Sequence, residues 1–446
     1  MNSNKTISNS VCIFGSGIMG INTAIQLADL GFDVYLVDSK ENFGGNAAHL
    51  YKAFPTDDCF YCVFPTFYKS GIRKCFYRSG IENHPNITLL KNVELIKFSG
   101  KLGNFNIKLK QDPIYIDDNC INCGKCIEVC PMISNIDEVY YKSQQVPIIS
   151  KNYPQCIGTC FTINRALCDP ECSKCEEECP TNSIHLNAKS HEIEIKCSYV
   201  IIACGFQEFD PELIKNYKYK IIPDVITQDQ LALLLDPNGP THGQLIKPSN
   251  KKPVKTIVML QCVGSRNNEY NKYCSGICCS YAIKQAKYIK ENYSDAPTIY
   301  IVYIDIRTMG FLEKYYEDAR SLDVNFIKGN LTEVEYIHNG NDDFKLNLKV
   351  YDAILNKLFI IKSDLLVLTP ALISSNECSE LCQKIGLKFS NEGFIAVKQD
   401  QITTNIDGIF ACGSITKPVD LSTSSIISKN ITFKIYSDYL KRGGTL

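Results

Sequence analysis

The sequence contains no tryptophan, and only six histidines: His49, His84, His185, His191, His242 and His338. No two of those histidines stand at metal-ligand spacing, which leaves any metal chemistry to other side chains. The absence of tryptophan, alongside abundant asparagine, reflects composition and carries no functional weight. Neither sign of charge is in excess: 47 Lys and Arg balance 48 Asp and Glu. That balance argues against nucleic acid or an anionic membrane surface as a partner. No apolar stretch reaches the roughly 18 uninterrupted residues of a membrane span. The start, Met1-Asn-Ser-Asn-Lys-Thr-Ile-Ser, is polar and lacks the apolar core of a signal peptide, so a cytoplasmic protein without membrane insertion is expected. There is no low-complexity segment and no disordered linker. The 446 residues, 45% of them apolar, suffice for two or three domains.

Cysteine is what the chain has in quantity. Twenty-three cysteines in a chain expected to be cytoplasmic point to metal ligation or redox chemistry instead of a disulfide framework. Cys120-Ile-Asn-Cys123-Gly-Lys-Cys126-Ile-Glu-Val-Cys130-Pro131 has the CxxCxxCxxxCP spacing of a bacterial ferredoxin. Cys168-Asp-Pro-Glu-Cys172-Ser-Lys-Cys175-Glu-Glu-Glu-Cys179-Pro180 repeats it with one residue added between the first two thiols. Closely spaced cysteines on a turn reach one cubane, and the last, followed by proline, is free to reach the neighbouring one. The expectation is two [4Fe-4S] clusters with crossed ligation: Cys120, Cys123, Cys126 and Cys179 on one, Cys168, Cys172, Cys175 and Cys130 on the other. Structural zinc is the competing reading, but it has no use for a repeated Cys-Pro ending.

Ahead of these runs, Val11-Cys-Ile-Phe14 leads into Gly15-Ser-Gly17-Ile-Met-Gly20, a helical pattern through Leu30, and a second strand, Val34 to Val37, ending at Asp38. Strand, glycine turn, helix, strand and an acidic residue to take a ribose hydroxyl form the dinucleotide fingerprint in its required context. Gly44-Gly45 fits the further glycine pair of flavin-type domains and favours FAD over NAD. Cys59-Phe-Tyr-Cys62 is a redox dithiol or a pair of packed thiols. Two alternating stretches, Ile87-Thr-Leu-Leu90 and Phe105 to Leu109, read as strands of a hairpin-like excursion. After the cysteine runs, Tyr199-Val-Ile-Ile-Ala203-Cys-Gly205 resembles the strand-to-glycine element that returns to the FAD in two-domain flavoproteins. The cysteine cassette thus interrupts a flavin fold.

A second α/β unit opens at Thr256-Ile-Val-Met-Leu260. Where a nicotinamide-binding glycine turn belongs, the chain has Gln261-Cys262-Val-Gly264-Ser-Arg266, followed by Tyr273-Cys274-Ser-Gly-Ile-Cys278-Cys279 at the start of a helix. Cys262, Cys274, Cys278 and Cys279 can converge on a third cluster, although the run matches no general signature; ordinary thiols are the alternative. Thr404-Asn-Ile-Asp407-Gly408-Ile-Phe-Ala-Cys412-Gly413-Ser414 returns to the flavin, with Ser414 where many flavoproteins have aspartate. A last helix, about Ser424 to Leu440, is stopped by Gly443-Gly444. Cys156 and Cys160 form a CxxxC pair that reads as buried thiols.

Taken together, these motifs resemble the A-subunit family of heterodisulfide reductases, flavin and iron–sulfur proteins of anaerobic energy metabolism. The resemblance runs from about Val11 to Tyr436. It is carried by the Gly15–Gly20 turn, Phe54-Pro-Thr-Asp-Asp-Cys59 with Cys62, the inserted cassette, Gln261–Arg266 and Tyr273–Cys279. It implies an α/β, two-domain, thioredoxin reductase-like fold of the FAD-dependent pyridine nucleotide-disulfide oxidoreductase type, with an inserted α+β ferredoxin-like [4Fe-4S] domain. The expected partition is 8–110, 191–250 and 396–446 for the FAD domain, 111–190 for the insert, and 251–395 for a second Rossmann-like unit. The resemblance also implies a cluster on Cys262, Cys274, Cys278 and Cys279 next to the FAD. Lys284 matches the family lysine close to the flavin N5, where a cation stabilises reduced, anionic flavin. By the same resemblance the chain is an oxidoreductase working in a complex: a hydrogenase or dehydrogenase module delivers an electron pair, and single electrons leave through clusters. Their destinations are proteins like the B- and C-subunits of heterodisulfide reductase, disulfide cleavage falling to the B-subunit, and, in bifurcating members, ferredoxin. Longer members carry further clusters beyond the region matching Leu446, so bifurcation by this chain alone is not expected. Two other readings compete: a stand-alone flavin dithiol reductase using Cys59 and Cys62, and a non-catalytic electron conduit.

Overall fold

A computed structural model describes residues 7–52, 80–135, 145–151, 161–237, 239–338 and 344–445. Ser10–Phe14, whose last four residues are buried, is the central strand of a five-stranded parallel sheet. Asp33–Val37 and Ile87–Leu90 lie to one side, Tyr199–Ile202 and Ile409–Ala411 to the other. Strands buried on both faces read as continuous apolar runs, and Tyr199-Val-Ile-Ile202 is such a run. One face is covered by helices Ile18–Asp29 and Leu421–Lys441, whose Ile21, Ala24, Leu27, Ile431 and Ile435 share a core with Val11 and Ile13. The other face is covered by an antiparallel sheet of Val93–Lys101, Asn104–Gln111 and His191–Cys197, together with helix Asn376–Ile385. Phe105, Ile107 and Leu109 alternate with Asn106, Lys108 and Lys110, so a period of two turns one face inward. Each of the three buried side chains contributes about 1.5–3 kcal/mol.

Ile87–Leu90 corrects the hairpin reading of the sequence. It pairs in parallel with Val34–Val37 as the sheet edge, and the hairpin partner of Asn104–Gln111 is Val93–Lys101. Asn92, at φ 56°, makes the turn between these two roles. Alternation alone does not say which neighbour a strand takes.

The cysteine-rich segment leaves the antiparallel sheet after Gln111 and returns at His191, and these two residues face each other in register. Its elements are small. Lys125–Val129 and Lys174–Glu177 are one-turn helices, Ile149–Lys151 pairs with Phe161–Ile163, and Ile133–Asn135 pairs with Gln145–Pro147. Ile116, Ile148, Ile149, Phe161, Ile163, Ile184 and Leu186 form its core together with Cys126 and Cys175.

The second unit is a seven-stranded sheet. Val225–Thr227, Leu365–Pro370, Thr256–Val263, Thr298–Tyr303 and Val324–His338 run parallel, and Phe344–Asp352 and Lys357–Ser363 extend it antiparallel. Helix Cys278–Asn292 connects two of the parallel strands. Val225–Thr227 thus lies in this sheet, within the 191–250 stretch expected to return to the FAD domain. Asn376–Ile385 packs on the first sheet, within the stretch expected for the second unit. Among the described residues, no helix is long and apolar enough to cross a membrane.

Candidate functional site

A cleft of about 960 Å³ opens at the carboxyl ends of the parallel strands, where open α/β sheets bind their ligands. Gly15, Gly17, Asp38, Gly45, Gly205 and Ser414 line it, joined by Cys278 and Lys284 from the second unit. Gly15 turns at φ +103°, and a Cβ there would stand 2.4 Å from the Ala203 carbonyl oxygen, so only glycine fits. Helix Ile18–Asp29 starts at Gly17 with no side chain capping it, which leaves its first N–H groups for an anionic ligand. The second glycine pair closes against this turn: the Gly44 N–H donates to the Ser16 carbonyl (2.9 Å), and a Cβ on Gly45 would stand 2.8 Å from the Gly17 Cα.

Gly20, Gly44 and Gly413 do not line the cleft. Gly20 lets the helix pack on the turn, since a Cβ would stand 1.8 Å from the Gly15 carbonyl oxygen, and Gly413 packs on Met19. Asp38 faces the cleft and also braces the turn. Its Oδ2 accepts from the Ser16 N–H and Oγ–H, both at 2.6 Å, and its Oδ1 accepts from the Lys40 N–H at 2.9 Å.

Lys284, on helix Cys278–Asn292, is nearly buried. Its ammonium donates to the carbonyls of Tyr51 (2.6 Å) and Lys52 and lies 5.1 Å from the Tyr281 ring centroid. Close by on the cleft wall are two carboxylates that no motif marks, Glu208 and Asp229. Asp229 accepts from the Tyr281 hydroxyl (3.1 Å). Burial pushes its carboxyl up to about 6, with Tyr281 and the Lys284 charge acting in the opposite sense. Burial, then the Asp229 charge, raise Glu208 well above the carboxylate range. Neither residue belongs to a spaced motif; the only signal was an acidic residue at the start of a capped helix, Gln228–Leu235.

The thiols fall into groups. Burial pushes Cys126 up to about 11, and Cys120, Cys175 and Cys123 add to it. Cys175 is likewise raised to about 11 by burial, then by Cys168 and Cys130. Thiols of the two runs thus act on each other in both directions, Cys130 on Cys175 and Cys175 on Cys126. Cys179 accepts from the Ser183 N–H (3.3 Å).

In the second unit, strand Thr256–Val263 shifts register between Leu260 and Val263, and this bulge turns Cys262 to φ +62°. Burial raises the Cys262 thiol to about 11, followed by Cys279 and Cys274. Cys278 is raised by burial, then by Cys279, Cys262 and Cys274. Cys262, Cys274, Cys278 and Cys279 thus act on one another's charge, and Cys278 also lines the cleft. Arg266 donates to Asp305 (2.7 Å) beside them.

A further thiol group has no counterpart among the sequence motifs. Cys204 and Cys412 end adjacent parallel strands in the same Ala-Cys-Gly sequence, the one signal that could have revealed them. Cys378 and Cys382 approach from helix Asn376–Ile385 with their sulfurs 3.9 Å apart. Hydrogen bonding with Cys204 and Cys382, then burial, push Cys378 far up. Cys59, Cys62, Cys75, Cys156 and Cys160 lie outside the described residues.

The donor sets suit the expected groups. Gly205 and Gly276 both have positive φ and nothing within 4 Å of an added Cβ, so bare backbone borders open space in the cleft. Buried Gln228 lines the same cleft with neither side-chain atom hydrogen-bonded, as a polar ring would require. Among the described residues, no group of three or more His, Cys, Asp or Glu side chains could hold a single metal ion. A cubane differs in demand: each thiolate binds its own iron, so the sulfurs stand further apart than the ligands of one ion.

This construction, two α/β units sharing a dinucleotide cleft, defines a class. The family profile "Pyridine nucleotide-disulphide oxidoreductase" matches residues 9–429, and the chain belongs to that family of oxidoreductases. Within it, the chain is 34% identical over 423 residues to the iron-sulfur A-subunit of the CoB--CoM heterodisulfide reductase of Methanocaldococcus jannaschii, covering 93% of this chain and 62% of that protein. It is equally 34% identical to the A-subunit of the H(2)/formate:CoB-CoM heterodisulfide,ferredoxin reductase of Methanococcus maripaludis, with the same coverage. The resemblance read from the motifs is borne out, over about 62% of the length of these relatives. Thioredoxin reductase from T. acidophilum shares the fold at 15% identity, with a TM-score of 0.52 over 97% of this chain and 100% of that one.

Proposed function

We propose that this chain is an FAD- and iron–sulfur-containing electron-transfer subunit of a heterodisulfide-reductase-like complex. Its task in this reading is to receive an electron pair from a hydrogenase or dehydrogenase module and pass single electrons towards B- and C-subunit-like proteins, with ferredoxin as a second acceptor. The observation that carries the reading is the single cleft on which the glycine turn, Lys284 and Cys278 all open. A bound flavin supplies the exchange between electron pairs and single electrons.

The chain's own residues do the rest. Gly15, Gly17 and Gly45 admit the cofactor's phosphates against a helix N-terminus, and Asp38 holds that turn in shape while facing the ribose region. Lys284, fixed by two backbone carbonyls, keeps a cation where negative charge develops on a reduced ring. Asp229 and Glu208 hold a proton within the same enclosure. Cys262, Cys274, Cys278 and Cys279 would bind a cluster beside the ring, and the two ferredoxin-like runs would bind two more.

The stand-alone dithiol reductase is less favoured. Strand Thr256–Val263 ends in a bulge at Cys262, where a nicotinamide site has its glycine turn.

Iron, sulfide and flavin content of anaerobically purified protein, measured alongside a Cys278→Ala variant, tests the reading. About twelve irons and one FAD are expected, with about four irons lost in the variant. About eight irons, unchanged by the substitution, would remove the cluster beside the flavin.

A further inference from the structure

The Gln261–Arg266 turn and the loop after strand Thr298–Tyr303 meet over the Cys262, Cys274, Cys278 and Cys279 thiols, and their charges have no role in ligation. Arg266 sits at φ +54°, and its N–H donates to the Tyr273 carbonyl (2.9 Å), next to Cys274. Its guanidinium Nη2 binds Asp305 at 2.7 Å, while Nη1 is buried with no hydrogen-bond partner. Arg307 reaches the same carboxylate, with its Nη2 3.9 Å away, and also lines the flavin cleft. Cys279 touches this loop directly, its S–H donating to the Asp305 carbonyl at 3.7 Å. One carboxylate thus holds two guanidiniums against the thiol group, leaving one positive charge in excess.

We propose that Arg266, Asp305 and Arg307 form a charge bracket that sets the reduction potential of an iron–sulfur cluster held by Cys262, Cys274, Cys278 and Cys279. The inference rests on the functional reading above and specifies how that site is tuned.

An electron added to a thiolate-bound cluster adds negative charge to a partly buried site. Net charge and hydrogen bonds to sulfur are two of the levers that set such potentials. Guanidinium stays protonated throughout, so Arg266 and Arg307 favour the reduced state and Asp305 opposes them. Arg266 Nη1, which Asp305 leaves unused, is a further N–H donor in this neighbourhood.

The bracket therefore predicts shifts of opposite sign from its two kinds of member, which a purely structural role does not. Redox titration of the full chain followed by electron paramagnetic resonance, with iron content measured in parallel, tests this. The relevant signal is the one lost in Cys278→Ala. With iron retained, Arg266→Gln is expected to make this cluster harder to reduce by about tenfold in equilibrium constant, about 59 mV for one electron. Asp305→Asn is expected to make it easier to reduce, and Arg266→Lys to keep most of the parent potential. If Arg266→Gln fails to assemble, Asp305→Asn and Arg307→Gln carry the same opposed expectation. Retained iron with no shift, or with shifts of one sign, overturns the bracket. If Cys278→Ala removes no iron, it is the functional reading itself that fails.

Discussion

Asp229 shows how one residue ties the cleft to the stability of the fold. Its neighbours are the Tyr281 hydroxyl, the Lys284 ammonium and the Glu208 carboxylate, and burial outweighs the two favourable ones. With its carboxyl raised from 3.8 to about 6, the protonated form suits the folded state. The associated stability is complete below the ordinary aspartate value and is lost as pH rises through 6. Asp229→Asn in cofactor-free protein is therefore expected to match the parent in thermal unfolding near pH 4. At pH 8 it should be more stable, by about 1–3 kcal/mol. An equal effect at both pH values would mean that the substitution acts through packing. Cys262 makes a different point: its left-handed backbone is a cost that the bulge imposes, and the same bulge carries the thiol to its group.

Among the elements, the last helix joins the two ends of the chain's logic. Leu421–Lys441 packs Ile431 and Ile435 on the first sheet, while its first turn, with Asp420, Leu421, Ser422 and Ser424, lines the cleft. Asp420 is the N-cap, and its side chain accepts from the Thr423 N–H at 2.6 Å. Asp420→Ala is expected to cost about 0.5–2 kcal/mol in urea unfolding. The sequence pattern starts this helix three residues late, at Ser424, because Leu421-Ser-Thr carries no strong helical period. Its end was legible, since Gly443 turns at φ 78° and donates to the Leu440 carbonyl at 3.0 Å.

At the scale of the whole molecule, the cysteine-rich segment leaves and re-enters at paired residues, so its removal need not stretch the rest. Replacing 112–190 by a short turn between Gln111 and His191 is expected to leave a folded protein that still binds flavin and lacks about eight irons. Loss of flavin as well would mean that the insert supports the core. The Ile87–Leu90 edge and the Val225–Thr227 strand show why the seams were hard to read: each is a short apolar run whose partner is chosen by sheet order, not by its own pattern.

The chemistry written in short spacings was determined by the sequence alone. A glycine turn between a strand and a helix, two Cys-Pro-ended runs and the Tyr273–Cys279 turn are local patterns, and local geometry follows from neighbours a few residues away. Tertiary structure decided which of these patterns meet. Cys130 and Cys168 both act on Cys175, and Cys279 and Cys274 on Cys262, because packing brings separate turns together. The Glu208 and Asp229 pair, the Cys204 and Cys378 contact and the Arg266, Asp305 and Arg307 bracket join residues far apart in the chain. Their approach depends on strand order, register and one bulge, and no spacing within a motif encodes those.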